Sequence, residues 1–85
     1  MNQGGLNNGQ LTELIGMLER RLVVIGDAEM RESDPERQLK ELQSVSEAIM
    51  AFHEANRGVM HNRLNHFLEN CSFEKALAWA KESIE

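Results

Sequence analysis

Between positions 11 and 25 the apolar residues Leu11, Leu14, Ile15, Leu18, Leu22 and Ile25 recur at spacings of three and four. At about 100° per residue their side chains share an arc roughly 100° wide, the face of an amphipathic helix. A chain carrying such a stripe has to bury it against another helix, so the pattern directs the fold towards an all-α bundle. The period predicts a helix over about 10–32. Leu22-Val23-Val24-Ile25-Gly26-Asp27 also reads as a buried strand ending in a turn, because Val and Ile favour strands. The flanks keep the helical period, which favours the helix.

Ser33-Asp34-Pro35-Glu36 marks the next boundary. Asp34 can cap a helix, Pro35 suits the first helical position, where no donor is needed, and Glu36 places negative charge in the first turn. A second helix is therefore predicted over about 35–57. So short a connection makes the two helices an antiparallel hairpin. The second helix would bury Leu39, Leu42, Val45, Ile49, Met50 and Phe52, with Ser46, His53 and Asn56 as polar members of the same stripe and Glu29 at the centre of the first stripe. Pairing about the turn brings His53 near Leu14 and Ile15, and Glu29 near Gln38. Buried polar groups of this kind fix register when hydrogen-bonded. His53 could alternatively form a small polar, pH-sensitive contact.

Gly58 supports two readings. Asn56-Arg57-Gly58 resembles a helix C-terminus in which Gly supplies the left-handed residue. Yet Met60, Leu64, Phe67, Leu68 and Cys71 fall in the arc already set by Leu39 to Phe52, so the helix could run on, straight or kinked near Gly58, through 59–71 to a length of about 55 Å. The phase reverses at Ser72. Phe73, Leu77, Ala80 and Ile84 lie about 180° from Leu64 and Phe67, which requires a turn there. Ser72 is the expected N-cap of a last helix over 73–83, with Glu74 in its first turn. Ala76, Ala78 and Ala80 allow close approach, and Trp79 adds one large contact.

Residues 1–9 contain Gly4, Gly5, Gly9 and four Asn/Gln side chains, and are expected to form a disordered tail before a single helical domain at 10–85, with Asn8 as a candidate N-cap. Eighty-five residues bury only about 60% of the unfolded surface. Chains this small usually gain stability from disulfides, a metal, a partner or very good packing. Cys71 is the single cysteine, so an internal disulfide is excluded, and a lone thiol suits a reducing compartment. With no basic segment leading into an apolar run and no apolar stretch of about 20 residues, a cytoplasmic protein is expected.

A net charge of −5 opposes non-specific binding to nucleic acid or anionic membranes. The balance is uneven: residues 1–56 hold ten acids and five Lys/Arg, whereas 57–85 hold four of each. His53-Glu54 lacks the second His of a zinc-protease helix, and His61, His66 and Cys71 are spaced by five, about 140° apart on a helix, so solvent-facing His and a core Cys are expected rather than a metal. With no glycine-rich phosphate loop and no nucleophile signature, nothing implies an enzyme or a cofactor.

Two constellations carry functional expectations. Met17, Val24 and Ala28, with Arg21 between them, form a second apolar seam on the first helix; with Trp79 they are candidate contacts for a homodimer or another helical protein, unless the last helix covers them. Arg57, His61, Arg63 and His66 are the one locally basic cluster and a candidate anion contact, although exposed aromatics for base stacking are lacking and nucleic acid is disfavoured. The expected function is accordingly a non-enzymatic helical interaction protein that self-associates, with a small anion-binding module as the alternative.

Overall fold

The computed structural model describes residues 6–84, which form five helices: α1 (Asn8–Ile25), α2 (Ala28–Ser33), α3 (Pro35–Asn56), α4 (Asn62–Glu69) and α5 (Phe73–Ser83). The all-α bundle and its hairpin are as the periodicity implies. The boundary at Asp34-Pro35 forms as read, with the Asp34 side chain accepting from Arg37 N and Pro35 opening α3. α5 covers the predicted span 73–83, although Ser72 makes no side-chain cap bond.

Antiparallel register between α1 and α3 is set by three polar links. Gln10 Nε2 donates to Asn56 Oδ1 at 3.2 Å, Arg20 pairs with Glu41 at 3.3 Å, and Gln38 Nε2 donates to the Val24 carbonyl at 2.8 Å. Between them lies a core of Leu11, Leu14, Leu18, Val45, Ile49 and Phe52, over which α4 and α5 fold as a second layer contributing Met60, Leu64, Leu68, Ala76, Leu77 and Ala80. Leu14, Ile49, Leu64, Leu68, Ala76 and Ala80 are wholly buried. A molecule measuring 48 × 23 × 19 Å is long enough for the hairpin but only two helix layers thick, so α4 and α5 cover part of the hairpin's face.

Several expectations are corrected. The first helix does not reach residue 32. It stops at Ile25, Gly26 turns the chain, and the Asp27 side chain accepts from Met30 N to start α2. The break resets the phase, which leaves Glu29 exposed rather than central; Gln38 meets the carbonyls of Val24 and Asp27 instead. The segment 22–25 is helix, not strand. Residues 1–5 of the expected tail lie outside the described residues, but Leu6 is buried in the core and Asn7, not Asn8, caps α1 in a reciprocal capping box with Gln10. Leu39 and Met50, expected inside, are 68% and 41% exposed, because they sit on a flank of α3 beyond the second layer.

The helix is broken at Gly58, by a turn over 57–60. Gly58 does not supply a left-handed residue, and a Cβ there would meet nothing within 4 Å. That role belongs to Cys71, whose φ is 56°. Ser72 N donates to the Phe67 carbonyl at 2.7 Å and Cys71 N to the Leu68 carbonyl at 3.1 Å, the bond pair of a Schellman motif closing α4. Cys71 is therefore exposed rather than in the core, as a residue at the tip of a reversal must be.

These two positions give opposite predictions for glycine. Gly58→Ala should stabilise the fold by about 0.4–1 kcal/mol by restricting the unfolded chain. Cys71→Gly should also stabilise it, by about 1 kcal/mol, because a side chain in the left-handed region is strained. Thermal unfolding followed by circular dichroism reads both, and a fall in melting temperature for either variant would contradict the assigned backbone geometry.

Candidate functional site

The second layer begins where α3 ends. Val59 N and Met60 N both donate to the Asn56 carbonyl, tightening the turn, and the buried Met60 side chain anchors it. Asn65, on α4, locks the arrangement. Its Nδ2 donates to the Arg57 carbonyl at 3.1 Å and the Met60 carbonyl at 3.3 Å, which turns its Oδ1 towards His53 Nε2 at 2.9 Å. His53 must then be the donor through Nε2. This is the partner of the buried His53; the expected neighbourhood of Leu14 and Ile15 gave no reason to look for it.

His61 stands at the N-cap of α4 with extended backbone, and its Nδ1 accepts from Arg63 N at 3.1 Å. An accepting Nδ1 leaves Nε2 as an N–H donor directed away from the cap. The ring packs beside Trp79 of α5, with centroids 5.2 Å apart and planes tilted by 40°. Leu64 and Leu68 turn inward, so Arg63 and His66 face solvent on the other side of α4. Reversal at Cys71 then brings α5 alongside and with it Lys75.

Between α4 and α5 lies an open cleft of about 770 Å³ lined by His61, Asn62, Arg63, His66, Phe67 and Lys75. Three members of the basic cluster read from the sequence meet there. The fourth, Arg57, does not line the cleft; it pairs with Glu54 at 3.5 Å. Lys75 takes its place. It could not be found from spacing, because it comes from a different helix whose orientation depends on the turn at Cys71. No carboxylate of the described residues lies within 4 Å of the Arg63 or Lys75 charge, whereas Arg20, Arg37, Arg57 and Lys81 are all ion-paired. The N-terminus of α4 adds partial positive charge at the same place.

The second apolar seam is largely occupied within the chain. Val24 is buried at 4% exposure, and Met17 and Trp79 pack on the core from its edge. Arg21 lays its guanidinium over the Phe73 ring, 4.5 Å from the centroid, and Lys81 of α5 pairs with Glu19 at 2.9 Å. Ala28 alone of the five is exposed, on α2. Met17 and Val24 thus lie against α3 and Arg21 against α5, so most of this seam is occupied within the chain. The apolar surface that remains open lies elsewhere. Residues two apart on a helix point about 160° apart. Arg20 and Glu41 bridge one face of the hairpin, so Leu22 and Leu39 lie on the other, level with each other and with half-buried Leu42 beside them. Leu22 is 38% exposed.

Among the described residues no group of three or more His, Cys, Asp or Glu could hold a metal ion, and no helix is long and apolar enough to cross a membrane. Comparison of the chain with protein-family models, with curated proteins and with solved structures gives no match.

Asn65→Ala would leave His53 and two turn carbonyls without their partner, and should cost about 1–3 kcal/mol. Urea unfolding followed through the fluorescence of Trp79, which reports the packing of α5 on His61, measures it. An unchanged midpoint would show that the turn holds without this side chain.

Proposed function

We propose that this chain is a non-catalytic helical interaction protein that associates with a second copy of itself through the open end of the α1–α3 hairpin. The observation that carries the reading is the exposure of Leu22 and Leu39, large apolar side chains of α1 and α3 at the same end of the hairpin. A stripe of this kind meets its own copy across a two-fold axis, where each residue finds its counterpart. The flank beside Leu39 carries both signs, Glu36 and Lys40, so a two-fold contact can set each against its opposite on the partner.

Magnitude limits the strength. Full burial of a leucine is worth about 1.5–3 kcal/mol, and these are already partly buried, so micromolar rather than nanomolar association is expected. Sedimentation equilibrium across the micromolar range should show a monomer–dimer equilibrium. Leu39→Glu should shift it to monomer while leaving helicity intact, since a side chain this exposed contributes little to the folded monomer. A wild-type chain that stays monomeric throughout overturns self-association and leaves the same face for a different helical protein.

A further inference from the structure

We propose that the cleft between α4 and α5 is a binding site for the dianionic phosphate of a small molecule, held by Arg63 and Lys75 with His61 as a neutral donor. This is independent of self-association and rests on different residues. Two of the six side chains lining the cleft, Arg63 and Lys75, are cationic and two more, His61 and His66, are imidazoles, in a chain whose net charge is −5. Arg63 and Lys75 come from different helices, and neither has a carboxylate of the described residues within 4 Å; the like charges face a common space without a counter-ion from the fold. Mutual repulsion of that kind is relieved by a bound anion. The fork of Arg63 matches two phosphate oxygens, and Lys75 supplies a point charge.

His61 is the orienting element. Its Nδ1 is occupied by the Arg63 amide and its ring is held against Trp79, so one N–H, at Nε2, is left to donate, and its direction is fixed before any ligand arrives. Phe67 gives the cleft an apolar wall on which the organic part of a ligand can rest. The same facts restrict the ligand's size. A polyanion would extend beyond the cleft into the field of an acidic protein, whereas a single phosphate experiences mainly the local cations within a Debye length of about 8 Å.

The test is an amide NMR titration of the full chain at physiological ionic strength with three probes: inorganic phosphate, adenosine monophosphate, and a single-stranded oligonucleotide. Expected are shifts confined to residues 61–67 and the neighbourhood of Lys75 with both phosphate and the mononucleotide, and loss of about tenfold or more in affinity in Arg63→Gln/Lys75→Gln, with Arg57→Gln, whose side chain lies outside the cleft, unchanged. Equal binding of the first two probes assigns recognition to the phosphate alone; tighter mononucleotide binding adds the Phe67 wall. The proposal fails if neither probe shifts these amides, if the double variant binds as well as wild type, or if the oligonucleotide binds more tightly per site than the mononucleotide. Because both substituted side chains project from the fold without ion pairs, the wild-type spectrum elsewhere should be retained, which separates loss of site from loss of structure.

Discussion

The side chain of Asn65 makes three hydrogen bonds that tie together three pieces of chain: the end of α3 through His53, the turn through the carbonyls of Arg57 and Met60, and α4 through its own backbone. An amide is suited to this because it offers a donor pair and an acceptor on one planar group. Swapping those roles would set its oxygen against two carbonyls. The bonds hold the turn tight enough for Leu64 and Leu68 to reach the core. Without that second layer, the hairpin would expose the inner faces of Leu14 and Ile49 to water. The position of α5 follows in turn, since it hangs from α4 through the reversal at Cys71.

Where apolar spacing and capping chemistry agree, the sequence is read correctly. Asp34-Pro35 opens α3 where the cap and the proline place it, and the phase reversal at Ser72 gives α5 its span. Where they disagree, spacing is the poorer guide. Val24 and Ala28 continue the apolar pattern past Gly26, yet Gly26-Asp27 combines a helix-stopping glycine with a capping aspartate, and the chain obeys the cap. The in-phase run from Leu39 to Leu68 misleads for a related reason. A helix that folds back on the same core through a short turn can recover the phase it left, so phase agreement does not distinguish it from a continuous helix.

Other features had no legible signal. His61 is not among the residues that favour N-caps, and its capping bond exists because the turn places the ring beside Arg63 N. Cys71 takes a left-handed conformation that its side chain disfavours, with the two Schellman bonds as compensation. Leu39 and Met50 belong to the helical stripe by spacing, but whether a stripe position is covered depends on the length and direction of the layer above it, which is a tertiary property. The basic cleft shares this character: His61, Arg63 and His66 are readable as a cluster, while Lys75 joins them only through the folding of α5.

The two surfaces that remain are far apart along α3. Leu39 lies near its start and the turn that positions His61 follows its end, and seventeen residues from Leu39 to Asn56 at about 1.5 Å each separate them by roughly 25 Å. That exceeds the screening length of about 8 Å at physiological salt several-fold, so charge bound in the cleft exerts little direct force on the hairpin's open end. Coupling between them would have to pass through the packing of α3 itself. The wholly buried Ile49, with Val45 beside it, holds that helix to α1 throughout the interval. Any such coupling would have to repack Val45 and Ile49, which are buried between the two positions, against α1.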